Sequence, residues 1–236
     1  MNGILYLIPS FIGTDIADKV IPDYNTEIVR SLKFFIVEEE RTARRFIKKL
    51  CPDKNIDELQ FLIFNEHSNT VELEKYLLPL YNGHNIGLLS EAGLPCIADP
   101  GNIIVRVAHT KGIEVVPLVG PSAIYLALMA SGLNGQNFAF VGYLPIKKNE
   151  RISAIKFLEQ RSLKENQTQC FIETPYRNNQ LLEDILNTVH PDTNLCIAVD
   201  ITLPSQIIIT RSIKDWKTKK TDINKHPAIF ILKRDS

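Results

Sequence analysis

The sequence predicts an α/β protein of two α/β domains, residues 1–117 with a mostly parallel sheet covered by helices on both faces and residues 118–236 with a mixed sheet. Three observations predict it. Short apolar runs alternate with longer segments of helical period, as when helices cover a parallel sheet. The texture of the chain changes after VVPLVGPSA, where a small, apolar helical stretch begins. The last two strand candidates bracket a Lys-rich connection, so part of the second sheet is expected to be antiparallel.

Taken in order, Ile4 to Ile8 reads as the first strand, followed by a Pro/Ser/Gly loop. Phe34 to Val37 reads as the second strand and Arg41 to Leu50 as a helix. Gln60 to Phe64 is the third strand, Thr70 to Tyr81 a helix, Ile86 to Leu89 the fourth strand, Gly101 to Lys111 a helix, and Glu114 to Leu118 the fifth strand. Ser122 to Ser131 is the apolar helix at the domain junction. Beyond it, strands are expected at Asn137 to Gly142, Gln169 to Glu173, Leu195 to Asp200, Gln206 to Thr210 and Ala228 to Lys233, with helices at Arg151 to Arg161 and Asn178 to Val189. No internal repeat or low-complexity tract interrupts the pattern.

Composition narrows the function. The chain has 236 residues, 44% of them hydrophobic, enough for a sizeable core. Its 27 basic and 27 acidic side chains cancel, so any nucleic-acid contact must come from a local patch. Cysteines 51, 96, 170 and 196 form no C-x-x-C pair and read as reduced cytosolic thiols. The apolar opening MNGILYLIPSFIG has no basic leader and is broken by Pro9, so it reads as a buried strand of a cytoplasmic protein. No apolar run approaches the length of a membrane span. The five histidines are scattered singly, which gives no metal-ligand spacing, and neither G-x-G-x-x-G nor the P-loop pattern occurs.

Open α/β sheets bind ligands beyond the carboxyl ends of their strands, so the loops there carry the functional signal. Pro9 to Thr14 (PSFIGT), Ser90 to Gly101 (SEAGLPCIADPG) and Val119 to Ala123 (VGPSA) each follow a strand. Gly93, Pro95, Asp99, Pro100 and Gly101 rigidify the second loop and allow close backbone approach. Asp99 is suited either to a ligand's amine or hydroxyl or to capping the helix that follows it, and capping is favoured. The 217 to 225 segment, KTKKTDINK, reads as a solvated loop.

Together and in this order, the loops resemble the tetrapyrrole-methylase superfamily, in particular its branch that methylates a cytidine ribose 2′-hydroxyl in small-subunit ribosomal RNA. LYLIPSFIG at 5 to 13 resembles the family's LYIVPTPIG, VEEER at 37 to 41 its AEDTR, SEAGLPCIADPG its SDAGTPLISDPG, and VVPLVGPSA its VVPLPGPSA. GYLP at 142 to 145, IETPYR at 172 to 177 and AVDITL at 198 to 203 resemble GFLP, YESPHR and ARELTK. The resemblance implies two α/β domains with a cofactor cleft between them, S-adenosylmethionine as cofactor, and a homodimer. Carried over by position, it implies a cofactor lining of Ser90, Ala92, Gly93, Pro95, Ile97, Asp99, Pro117, Gly120, Ser122 and Ala123. From the second domain it adds Tyr143, Thr174, Ala198, Pro227 and Ala228.

A sulfonium methyl is already activated, so the protein mainly aligns the acceptor. A ribose hydroxyl still gains from a general base, and the candidates are Glu38, Glu39, Glu91, His67 and Asp200. His67 lies in NEHSN, which resembles the family's HDHNE, although a lone histidine beyond a strand is more often a surface or capping residue. Arg41, Arg44, Arg45, Lys48 and Lys49 fall on one helical face that can track the phosphates of ribosomal RNA or the small subunit; the bland alternative is a solvated face paired with Glu38 to Glu40. Lys147, Lys148 and Arg151 form a weaker second patch.

Substrate-side positions depart from the family more than cofactor-side ones. Glu91, Leu94 and Ala98 replace Asp, Thr and Ser; Glu40 replaces Thr; Val199, Asp200 and Leu203 replace Arg, Glu and Lys. Two other readings stay open: a tetrapyrrole such as a precorrin as methyl acceptor, or a non-catalytic RNA-binding or cofactor-sensing protein on a methylase scaffold.

Overall fold

A computed structural model describes residues 2–13, 20–68, 70–219 and 221–235. Thr14 of the first loop, Asn69 of NEHSN and Lys220 of the Lys-rich connection lie outside them. The chain forms two compact units, Met1–Ser122 and Ala123–Ser236.

The first unit is built on five parallel strands, β1 (Leu5–Ile8), β2 (Phe34–Val37), β3 (Gln60–Ile63), β4 (Ile86–Leu89) and β5 (Val115–Pro117), in the order β3-β2-β4-β1-β5. Side chains alternate across each strand, so both faces of the sheet are buried. Ile8, Phe35, Val37 and Leu89 enter one apolar cluster, while Leu5, Ile36, Ile86 and Leu88 enter the other. Burying each such side chain contributes roughly 1.5–3 kcal/mol. Helix α1 (Asp23–Ser31) precedes β2, α2 (Glu40–Leu50) follows it, and α4 (Gly101–Thr110) links β4 to β5. Helix α2 buries Ala43, Phe46 and Ile47 at i, i+3 and i+4, which turns its cations outward.

Two parts of this unit differ from the pattern reading. The helix expected over 70 to 81 is a 3-10 turn, Thr70–Leu77, kinked at Glu72, followed by the short α3 (Leu78–Tyr81). Glu72 is non-helical, and Pro79 has no N–H to bond back into the preceding turn, a loss tolerated only in the first turn of a helix, so a new helix starts at Leu78 instead of one continuing from residue 70. Helix α1 has no expected counterpart, because one of its two buried side chains is polar: Asn25, which donates through Nδ2 to Val119 O at 2.7 Å.

The second unit opens with α5 (Ala123–Ser131). It then contains β6 (Phe138–Tyr143), α6 (Lys148–Glu165), β7 (Thr168–Ile172), α7 (Asn178–Thr188), β8 (Asn194–Val199), β9 (Ile207–Ser212), α8 (Ile213–Lys217) and β10 (Ala228–Lys233). The strand order is β6-β7-β10-β8-β9, with β6 and β7 parallel and every other neighbouring pair antiparallel. The sheet is therefore mixed, but β9 and β10 do not pair; β8 lies between them. Their connection carries α8, long enough to cross over β8 instead of turning back as a hairpin. The core gathers Phe171 stacked on Phe230, Trp216, and Ile197 and Val199 of β8.

Arg151 is corrected. It is not a surface cation but 1% exposed, with Nε and Nη2 donating to Asp184 Oδ2 at 2.8 and 2.6 Å and Nη1 to Ile146 O at 2.6 Å. It falls in the second turn of α6, whose inner face it shares with Ile155 and Leu158.

Candidate functional site

All five strands of the first unit run parallel, so the three motif loops leave the same edge of its sheet. They are also bonded to one another. Ser10 N donates to Gly93 O at 2.9 Å, Ser90 Oγ donates to Gly93 O at 2.7 Å, and the hydroxyls of Ser10 and Ser90 lie 3.4 Å apart. A Cβ on Gly120 would stand 2.2 Å from Cβ of Pro9, so the first and third loops can touch only because residue 120 is glycine. Residues separated by 80 positions or more thus form one rigid cradle.

The middle of that cradle is strained. Cys96 (φ 68°) and Ala98 (φ 61°) take left-handed backbone beside Gly93 (φ 74°), conformations that side-chain-bearing residues rarely adopt. Asp99 holds the turn: its carboxylate oxygens each accept from Cys96 N at 2.9 Å, and one also accepts from Gly101 N at 2.7 Å. Pro100 is the N-cap of the helix and has no side-chain cap bond, so Asp99, one residue before it, ties the loop at Cys96 to the first helical N–H. The outer surface of the loop is Ala92, Ile97 and Ala98, which are exposed, while Ser90, Gly93 and Pro95 are buried beneath it. Pro117 is exposed on the neighbouring strand, Gly120 and Ala123 are half-buried, and Ser122 is buried.

Five carboxylates, Glu38, Glu39, Glu66, Glu91 and Asp99, crowd this edge. Glu38, at the end of β2, is pushed up to about 7 by partial burial, and the negative charges of Asp99, Glu91 and Glu66 add to the shift. Partial burial also raises Glu91, opposed by the nearby Thr42 side chain and the Glu39 backbone and assisted by the Glu39 charge. Glu39 itself accepts from the Thr42 hydroxyl. Near neutral pH, Glu38 can therefore either donate a hydrogen bond or take up a proton. His67 stands out in solvent: its side chain is 85% exposed and its ring lies 3.5 Å from the Glu66 carboxylate, while its backbone N–H closes a turn onto Asn65.

The basic face of α2 divides into two kinds of cation. Arg44 donates to Glu40 at 2.7 Å and to Asp57 at 3.3 Å and lies over Phe61; Lys48 donates to Pro52 O; Lys49 lies over Phe11. Arg41 and Arg45 have no hydrogen-bond or ion-pair partner among the described residues. They line an open depression with Glu38, Ile63 and Asn65.

In the second unit, β6, β7 and β8 end, and β10 begins, at one edge of the sheet, and the remaining motifs meet there. Tyr143 is exposed after a bulge at the end of β6. Thr174 N donates to Glu173 Oε1 at 2.6 Å, and the same oxygen accepts from Arg177. Asp200 N donates to Pro227 O at 3.0 Å, and Asn178 Nδ2 to His226 O at 2.6 Å, which pins the segment before β10 between the β7 and β8 loops. Ala228 is buried opposite Val199, and Ala198 is wholly buried within the sheet. Asp200 is 5% exposed and accepts from Ser205 Oγ at 2.8 Å and from His226 Nδ1 at 2.7 Å.

A family model, "Tetrapyrrole (Corrin/Porphyrin) Methylases", matches residues 25–216. The chain belongs to that family. This tetrapyrrole methylase is 32% identical to the ribosomal RNA small subunit methyltransferase I of Vibrio cholerae serotype O1, over 94% of this chain and 76% of the relative. It is 32% identical to the protein of the same name from Bacillus subtilis, over 90% of this chain and 68% of the relative. Its fold matches the crystal structure of the methyltransferase CobJ with a TM-score of 0.66 at 13% identity, covering 98% of this chain and 94% of that one.

As a methylase, the chain carries residues that its motifs did not single out. Asn25 holds the third loop from α1, and His226 and Ser205 meet at Asp200. No local spacing could have found His226, which is 26 residues from its partner. Among the described residues, no group of three or more His, Cys, Asp or Glu side chains is placed to hold a metal ion, and no helix is long and apolar enough to cross a membrane.

Proposed function

We propose that this tetrapyrrole methylase transfers a methyl group from S-adenosylmethionine to a ribose 2′-hydroxyl of small-subunit ribosomal RNA. The observation that carries the reading is the bonded cradle of Ser10, Ser90, Gly93 and Gly120 beside the unpaired cations Arg41 and Arg45 on the same unit. The first offers backbone and small side chains to a compact ligand; the second offers charge to phosphate. The names of the relatives point to small-subunit ribosomal RNA as the methyl acceptor.

The residues present fit a methyl donor. Glu173 Oε2, Asn178 Oδ1 and Thr202 Oγ1 are buried without a hydrogen-bond partner, at the edge where Tyr143, Thr174, Pro227 and Ala228 lie. Buried polar atoms left unsatisfied are costly, and an amine or hydroxyl of a ligand would satisfy them. Within the first unit, the strained Cys96–Ala98 turn is a preformed backbone surface of its own. When bound, the donor supplies an electrophilic methyl group on a sulfonium. The chain then has to bind, orient and exclude water, which does not require many catalytic side chains. We extend the reading to a cytoplasmic homodimer, tested by light scattering of the purified protein.

Calorimetry with S-adenosylmethionine and S-adenosylhomocysteine tests the first half, and tritiated methyl transfer to small ribosomal subunits lacking the modification tests the second. Saturable binding and ribose-linked label are expected. Absence of binding at millimolar donor would overturn the enzyme reading. Binding with label appearing only on a tetrapyrrole would overturn the acceptor.

A further inference from the structure

We propose that His226, oriented by Asp200, is the group that takes the proton from the acceptor hydroxyl; this rests on the methyl-transfer reading above. The geometry is that of a positioned base. Asp200 is almost wholly buried and accepts from His226 Nδ1 at 2.7 Å, so the proton on Nδ1 is committed to the carboxylate and Nε2 carries the free lone pair. The histidine side chain is 51% exposed, and Nε2 has no hydrogen-bond partner among the described residues. One nitrogen is anchored and the other is open.

Three further features show that the pair is held in place. Asp200 (φ 50°) and Thr202 (φ 75°) both sit in left-handed backbone, and for a β-branched threonine that is a true outlier. Gln206 Oε1 accepts from Thr202 N at 2.9 Å and Leu203 N donates to Asp200 O at 2.9 Å, which keeps the turn closed and aims the carboxylate at residue 226. On the other side, His226 is clamped through its carbonyl by the buried Asn178 and is followed directly by Pro227 and Ala228, which the family resemblance implies for the methyl donor. Strain of this kind persists where the surroundings over-determine it, and it gathers at functional sites.

There is room beside the pair. Asp200, Ser205 and His226 lie on the rim of a cavity of about 160 Å³ whose walls are Val199, Ile207 and Trp216. Glu38 borders a crevice of about 10 Å³ towards Asp99 and the open depression of about 720 Å³ that it shares with Arg41 and Arg45, so room alone does not separate it from His226; what it lacks is a buried partner that anchors it as Asp200 anchors His226. His67 faces only the equally exposed Glu66 carboxylate, at 3.5 Å, among the described residues, not a buried anchor.

The step balances simply. The hydroxyl oxygen bonds the methyl carbon while its O–H bond breaks, the proton passes to Nε2, and the electron pair of the broken carbon–sulfur bond remains on sulfur. The resulting imidazolium faces the Asp200 carboxylate, and solvent later removes the proton.

The test compares wild type, H226A and H226Q, with E38Q as the rival. Wild type must bind S-adenosylmethionine and label small subunits; if it does not, the methyl-transfer reading fails on its own control. If it does, both His226 variants are expected to bind donor and subunits as wild type does but to transfer about 100-fold more slowly. Added imidazole should restore part of the H226A rate. A separate readout is carbethoxylation by diethyl pyrocarbonate: small subunits with S-adenosylhomocysteine should protect His226, while the exposed His67 serves as the reference. Transfer by H226A and H226Q within two-fold of wild type, a loss that imidazole does not relieve, loss confined to E38Q, or an unprotected His226 would each overturn the proposal.

Discussion

At the scale of single residues, Glu38 shows how position turns an ordinary carboxylate into a tuned one. In the folded protein it keeps its proton up to about pH 7, whereas in the unfolded chain it releases it near 4.5. Between those values the folded state binds more protons, so the contribution of Glu38 to stability falls as pH rises from about 4.5 to about 7 and is flat outside that window. The prediction is a smaller drop in Tm between pH 5 and pH 8 for Glu38→Gln than for wild type; equal drops would show that Glu38 titrates normally. Asp99 gives a second test. Its carboxylate satisfies the backbone of Cys96 and Gly101, so Asp99→Ala should cost about 1–2 kcal/mol in urea unfolding and weaken donor binding, because the strained turn loses its anchor. Sequence favoured capping for this residue; in the structure the N-cap is Pro100, and Asp99 bonds the first helical N–H from one residue before it while closing the loop at Cys96. Glu38 was legible as a candidate, but its tuning was not, since it depends on Asp99, Glu91 and Glu66 being brought to one edge.

At the scale of elements, periodicity located most strands and helices to within a few residues. It failed where a polar or proline residue decides the outcome. Asn25 hides α1, because a buried amide reads as loop; Pro79 breaks the expected helix before α3; α8 buries only Ile213 and Trp216 and is too short to show a period. Helix α6 was legible, but its Arg151 was misread as surface because a pattern cannot see the Asp184 carboxylate across on α7. Removing that partner leaves a buried guanidinium uncompensated, so Asp184→Ala should destabilise the protein by about 3–5 kcal/mol in urea unfolding. The double change R151M/D184L should recover much of the loss; a single-variant cost under 1 kcal/mol would contradict the buried pair. On α2, the five cations are not equivalent. R41E/R45E should lower affinity for ribosomal RNA and flatten its salt dependence with Tm unchanged, whereas R44E should also destabilise the helix by breaking its bonds to Glu40 and Asp57. Unchanged RNA affinity in R41E/R45E would leave the face as solvated surface.

At the scale of the molecule, each unit gathers its motifs at one edge of one sheet. In the first, parallel strands carry the loops after β1, β4 and β5 to the same side. In the second, antiparallel pairing brings the start of β10 beside the ends of β7 and β8. The sequence made the order of the motifs visible, and with it the family, because each loop follows a recognisable strand. It did not make visible the contacts between Asp200, Ser205 and His226, since those depend on β10 inserting between β7 and β8. Substrate-side departures such as Asp200 for Glu and Leu203 for Lys are answered in part by that insertion, which gives Asp200 a histidine to hold. The central claim is methyl transfer to small-subunit ribosomal RNA, and tritiated S-adenosylmethionine with subunits lacking the modification tests it most directly. The account predicts label at a single ribose of the small-subunit RNA, lost with H226A and reduced with R41E/R45E. Saturable donor binding with no label on that RNA would contradict it.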